Sequence, residues 1–292
     1  MRDDGPFVLD HFEPAYVGAM RSGTLAGKVE AALAELRACR ACPRDCGADR
    51  FATAKVPCRT GRRARVASAM AHFGEEDCLR GNRGSGTIFF AHCNLRCVFC
   101  QNWTFSQAAD GQPYTAEEIA AIMLRLQGDG CHNINLVTPE HVAPQLVEAI
   151  ALAAPEGLVL PIVYNTSGYD GLASLRLMDG LVDIYMPDFK LWSRAAARRR
   201  LRASDYPQPT REAIAEMHRQ VGVLRFTPGG LACRGVLVRH LVMPGMIDEA
   251  AAIFAWLADH VSADTYVNIM DQYRPEHRVA GNDRYSAIDR RP

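Results

Sequence analysis

No apolar run in this chain approaches the ~20 residues that cross a bilayer as a helix, and the opening Met1-Arg2-Asp3-Asp4 lacks the basic-then-apolar order of an export leader. These absences point to a cytoplasmic protein with no membrane partner. Excess charge is also missing. The 33 Lys and Arg balance the 33 Asp and Glu, so no overall field draws the protein to nucleic acid. Local patches of one sign can still form, and the cluster Arg194, Arg198, Arg199, Arg200 and Arg202 is expected to be a solvated helix face. Internal repeats and low-complexity tracts are absent, which excludes a repeat architecture. Gly81, Gly84 and Gly86 lead into an apolar, strand-like run and not into a helix, so they do not form a phosphate loop. What remains is an ordinary globular composition over 292 residues, 48% hydrophobic and 23% charged. It suits one large domain with a short appendage, or two small ones.

Cysteine, by contrast, is plentiful. Seven of the ten fall into two tight groups: Cys39, Cys42 and Cys46 with Cys58, then Cys93, Cys97 and Cys100. Without an export signal the thiols stay reduced, and metal or cluster ligation explains the spacing better than disulfides do. Cys78, Cys131 and Cys233 stand alone and read as small buried hydrophobes.

Leu25, Val29, Leu33 and Leu36 recur at helical spacing behind Thr24, a candidate cap, and carry the chain into the first cysteine group. From Gly86 onward, short apolar runs alternate with amphipathic stretches. The runs Thr87–Ala91, Asn133–Val137, Val159–Tyr164, Val182–Met186, Val236–Val242 and Tyr266–Met270 read as six strands. Helices are expected near Thr115–Gln127, Val142–Ala153, Gly171–Met178, Arg211–Val221 and Asp248–His260, long enough for right-handed crossovers. Together they predict an α/β fold, a partial (β/α)6 TIM-like barrel, with a doubly wound open sheet as the alternative. The expected division is a helical, cysteine-rich N-terminal extension over 1–83, the barrel over 84–273 and a surface tail over 274–292.

The segment from Ala91 to Asn102 follows directly on the first of the six strands. Three thiolates spaced three and then two residues apart can wrap one face of an iron–sulfur cube and leave its fourth iron without a protein ligand. A structural zinc site would need a fourth ligand, from His92 or elsewhere. A CxxxCxxC motif with Phe99 just before its last cysteine, placed after strand one, resembles the radical S-adenosylmethionine (SAM) superfamily. Gly84–Phe90, Cys100-Gln101-Asn102, His132–Pro139, Ile162–Tyr169, Asp183–Lys190 and Val238–Gly245 further resemble the branch related to pyruvate formate-lyase activating enzymes, often called PflX. The likeness runs from about Cys39 to Tyr273.

The resemblance implies a 4Fe-4S cluster on Cys93, Cys97 and Cys100, with SAM chelating the open iron. Electron transfer then cleaves SAM to a 5'-deoxyadenosyl radical that abstracts hydrogen from a substrate. It implies a flavodoxin- or ferredoxin-like electron donor and, by kinship, a protein substrate such as a glycyl-radical enzyme. A second reading is radical chemistry on another protein, peptide or small molecule. A third is a non-catalytic zinc or iron–sulfur binding module.

Polar residues at the C-terminal strand ends are the candidates for holding SAM. Glu140 stands where the superfamily often has a Gly-Gly-Glu sequence, although the glycines are missing; a helix N-terminal carboxylate is the alternative. Asn165 and Thr166, with Ser167, end the third strand and suit a carboxylate or ribose. Asp188 and Lys190, two apart, turn to one face and resemble the SAM-contacting pair of the activating enzymes. Arg239 and His240 share an apolar strand and must face opposite ways; His240 is carried as the site candidate. Cys39, Cys42, Cys46 and Cys58 form a second candidate site. It suits structural zinc, an electron-relaying 4Fe-4S cluster or reduced free thiols.

Overall fold

The computed structural model describes residues 5–108 and 111–292; Met1–Asp4, whose order argued against an export leader, lie outside the described residues. In chain order the N-terminal part forms helices α1 (Ala15–Arg21) and α2 (Thr24–Arg37), strand β1 (Ala64–His72), the short helix α3 (Asp77–Arg80) and strand β2 (Ser85–Phe90). Next come α4 (Trp103–Ser106), β3 (Gln112–Tyr114), α5 (Ala116–Gly128), β4 (Ile134–Val137), α6 (Ala143–Ala153), β5 (Ile162–Thr166), α7 (Leu172–Met178) and β6 (Ile184–Pro187). The last part holds α8 (Arg194–Arg200), α9 (Pro207–Val221), β7 (Arg225–Phe226), β8 (Ala232–Leu241), α10 (Ile247–His260) and β9 (Tyr266–Met270), with a 3-10 helix at Asp283–Ile288.

Six parallel strands, β2, β4, β5, β6, β8 and β9, pair in the order in which the chain makes them. Sequential order with helices between the strands is a partial (β/α)6 barrel. It removes the doubly wound alternative, whose strand order must reverse. β9 does not pair with β2. On the β2 side the sheet continues instead through antiparallel β1 and β3. Thus part of the segment 1–83 is a strand of the sheet itself. β1 reads ARVASAMAH, too rich in Ala to look like a strand.

Alternation sorts the side chains. Val163, Ile184, Met186 and Leu237 turn into the barrel and pack on Leu79 of α3, while Ile134, Leu136, Tyr164, Tyr185, Val236 and Val238 join the core under the helices. Strands buried on both faces are what a parallel sheet covered by helices requires. The helices begin for local reasons. Thr115 and Glu118 make a reciprocal capping box on α5, and Pro207 opens α9, where a missing N–H costs nothing. Thr24 is not a cap. Gly23, at φ 74°, holds that position, and the Thr24 hydroxyl donates back to Ala19 O, across the end of α1.

No described helix is long and apolar enough to cross a membrane. Cys131 and Cys233 are buried, and Cys78 is half-buried against the barrel plug. The stretch 274–292, expected as a surface tail, is partly packed. Val279, Tyr285 and Ile288 are buried, the Tyr273 hydroxyl donates to Ile288 O at 2.8 Å, and Arg278 N donates to Val98 O at 2.9 Å. Charge had hidden these apolar contacts. Because Leu79 is the side chain that fills the barrel floor, Leu79→Ala should cost about 2–5 kcal/mol, whereas Val159→Ala, at a 61% exposed position, should stay within about 0.5 kcal/mol. Urea melts of both variants check this, and equal losses would mean that the plug is not packed.

Candidate active site

The loop after β2 carries Cys93, Cys97 and Cys100 to the C-terminal mouth of the barrel. Distant segments fix its backbone: Ala91 N donates to Arg65 O (2.8 Å), His92 N to Phe105 O (2.8 Å), Arg96 N to Leu201 O (3.2 Å) and Val98 N to Arg200 O (2.9 Å). Leu95 N points at Cys93 Sγ, 3.3 Å away, and the Cys100 thiol meets the Ser106 hydroxyl at 3.2 Å. All three thiols line one cleft of about 320 Å³, together with Val137, Thr138, Asn165, Thr166, Ser167, Asp188 and Lys190.

The cleft's far wall is polar by construction. Lys190 Nζ bonds Asp188 Oδ2. Burial alone would lower the Lys190 ammonium, but Asp188 and Cys97 reverse this and raise it, so Lys190 stays charged. Burial pushes the Cys97 thiol up to about 12, against the pull of Lys190. Cys93 also rises, through burial and then the Glu140 carboxylate. The Thr166 hydroxyl donates to Asp170 at 2.5 Å; burial, with Glu140 nearby, raises the Asp170 carboxyl to about 8. Tyr206, fully buried, ties two loops together. Its hydroxyl lies 3.0 Å from Ser167 O and 2.9 Å from Asp188 O, and accepts Lys190 N at 3.0 Å.

Among the sequence candidates, Asn165, Thr166, Asp188 and Lys190 are brought together with the three thiols. Glu140 is not at the cleft surface. It is fully buried behind Ser167, whose backbone N–H and hydroxyl both bond its Oε1, and burial raises its carboxyl. His240 faces the helical layer, with Nδ1 on Phe189 O at 2.7 Å and its ring edge-on to Phe254. Its neighbour Arg239 takes the inward position instead. Arg239 lies 3.6 Å from Glu75, 3.4 Å from Glu76 and 3.8 Å from Asp188. Sequence reasoning missed Glu75, Glu76 and Tyr206, and carried His240 in place of Arg239. The alternation of Arg239 with Leu237 would have found the arginine had either strand face been known.

A family model described as the radical SAM superfamily matches residues 87–257, more than half of the chain. The chain belongs to the radical SAM superfamily. An uncharacterized protein of Methanocaldococcus jannaschii is 29% identical over 291 residues, covering 97% of this chain and 79% of that protein. Among solved structures, SuiB of Streptococcus suis bound to its precursor peptide SuiA is 10% identical with a TM-score of 0.45, over 64% of this chain and 39% of that one. The anSMEcpe structure with bound AdoMet is 9% identical with a TM-score of 0.44, over 67% and 51%. The chain thus spans about half or less of the solved relatives it matches.

Radical SAM membership implies a 4Fe-4S cluster and SAM, and the residues present fit them. Three thiols sit on one loop beside a cleft with room for a ligand, an N–H already faces one sulfur, and a charged, hydrogen-bonding wall stands opposite. His92, the residue that could have closed a zinc tetrahedron, is not among the lining residues. Thr138 at φ 61° holds a left-handed conformation rare for a β-branched residue, and it does so beside the cleft. Arg239 compensates three carboxylates at the cleft's base, so Arg239→Met should lower stability by about 2 kcal/mol. Denaturant unfolding tests this, and an unchanged midpoint would show that solvent compensates the acids without it.

Proposed function

We propose that this protein reductively cleaves SAM at a 4Fe-4S cluster held by Cys93, Cys97 and Cys100, and abstracts hydrogen from a substrate admitted to the same cleft. The carrying observation is that the three thiols and the polar wall of Asn165, Thr166, Asp188 and Lys190 line a single cavity. When bound, cluster and SAM supply one electron and a 5'-deoxyadenosyl radical. The chain's own share is positioning and exclusion. Lys190 presents a cation, and Asp188 an acceptor, to the amino-acid and ribose ends of SAM. Val137 and Phe89 line the cleft with apolar surface that excludes water.

In this reading the site belongs to the branch related to pyruvate formate-lyase activating enzymes, with a flavodoxin- or ferredoxin-like reductant in the cytoplasm. A glycyl-radical enzyme is the protein substrate suggested by kinship alone. The functional body is the barrel of 84–273 with its N-terminal extension. A non-catalytic metal-binding module would need no charged wall opposite its thiols, and the wall therefore favours the enzyme.

Cys97→Ala should abolish 5'-deoxyadenosine formation after anaerobic reconstitution with iron, sulfide and dithionite, and undiminished cleavage would sink the assignment. Asp188→Ala should weaken SAM binding about tenfold or more while iron content holds. Loss of one charged partner typically costs 1.5–3 kcal/mol, so an unchanged titration would make the pair structural only.

A further inference from the structure

A second metal centre follows from a charge imbalance outside the cleft. Cys39, Cys42, Cys46 and Cys58 all line one small cavity with Arg50 and His141. The backbone winds tightly to bring them there. Cys39 N donates to Ala48 O, Gly47 N to Cys39 O and Asp45 N to Cys42 O, all within 3.0 Å, and Asp45 and Gly47 take left-handed φ values of 40° and 60°. A separate turn, Arg59 N to Val56 O at 2.9 Å, sets Cys58.

Arg50 is 1% exposed. Its Nε donates to Thr60 O at 2.9 Å, its Nη1 to His141 O at 2.6 Å and toward Cys39 Sγ at 3.7 Å. Its Nη2 has no partner. The nearby carboxylates are engaged elsewhere, Glu35 accepting from Arg40 N and Asp45 pairing with Arg40, and among the described residues Arg50 makes no ion pair of its own. A buried cation without a carboxylate partner is strongly unfavourable, and needs an anion. His141 borders the same cavity. Its Nε2 is tied to Ala91 O at 3.0 Å and its buried Nδ1 has no partner. A divalent ion ringed by four thiolates carries a net charge of about −2 and supplies the missing anion to Arg50.

We propose that Cys39, Cys42, Cys46 and Cys58 bind one zinc ion as a closed tetrathiolate, with Arg50 as its buried counter-charge. The cavity between the thiols holds about 10 Å³, room for a single ion or water, which suits one zinc; metal and sulfide content separates it from an iron–sulfur cube. Four ligands also leave no open position. No three Cys, His, Asp or Glu side chains among the described residues yet stand so as to hold a metal. This includes Cys93, Cys97 and Cys100, so binding at either site requires the thiols to reorient. The site's place gives it a role. Arg44 Nε donates to Asn94 O at 2.9 Å, Arg96 Nη2 to Pro57 O at 2.7 Å, and His141 holds Ala91 O. The zinc knuckle therefore braces the cluster loop from behind. The inference does not rest on SAM cleavage, because its readout is metal content.

The test is elemental analysis of the full-length Cys93→Ala/Cys97→Ala/Cys100→Ala variant, expressed with both zinc and iron and purified anaerobically. One zinc per chain, no sulfide, and at least a tenfold loss of zinc on adding Cys39→Ala and Cys58→Ala are expected. Iron with sulfide, no metal at all, or zinc indifferent to Cys39 and Cys58 would overturn the site. If the triple variant does not fold, X-ray absorption at the zinc edge of the reconstituted wild-type protein replaces it. Four sulfurs at about 2.3 Å support the proposal; a nitrogen- or oxygen-rich shell, or no zinc, rejects it.

Discussion

Six parallel strands do not close on themselves; barrels with a filled interior generally use eight. The missing arc between β2 and β9 must be filled by something, and here the chain between β1 and β2 fills it. Leu79 enters from that side to pack on Val163, Ile184, Met186 and Leu237. Asn268 of β9 reaches across to Glu76 at 2.7 Å. That plug brings Glu75 and Glu76 with it, and two carboxylates at a barrel base call for a cation. Arg239 answers both and also leans on Asp188, which holds Lys190. The electrostatics of the cleft are thus inherited from the way an incomplete barrel is stoppered.

Much of this could be read from residues alone, because six apolar runs of strand length separated by helical periods admit few architectures. The three thiols were legible for the same reason: their spacing is local. Interactions between distant segments were not. β1 has four alanines among its nine residues and a single β-branched one, Val66, so its strand propensity is low and it is recognisable only by its partner. Arg239 and His240 were indistinguishable until the inner strand face was known. Glu140 read either as a contact for SAM or as a helix N-terminal carboxylate, and its burial behind Ser167 depends on a loop from another strand. The charged segment after Met270 concealed four buried side chains, Tyr273, Val279, Tyr285 and Ile288, among its polar ones.

Small geometric requirements hold the cleft's polar wall in place. Gly168, at φ 78°, sits where a Cβ would come within 2.4 Å of Asp188 O, so the loop after β5 lies directly on the loop after β6. Tyr206 locks the same contact from below through both carbonyls. Asn165, Thr166, Asp188 and Lys190 are therefore carried on one rigid unit and not on two independent loops. The thiol loop, hydrogen-bonded to Arg65, Leu201 and Arg200, faces it from the other side.

The bond from Arg278 to Val98 also has a meaning in time. The peptide that clamps the thiol loop emerges roughly 180 residues after that loop, and at ordinary synthesis speeds of about 5–20 residues per second this is a delay of ~10–40 s. Throughout that interval the three cysteines travel on an incompletely held loop, reduced and open to any oxidant or stray metal in the surroundings. Their protection is a property of the finished chain, acquired late.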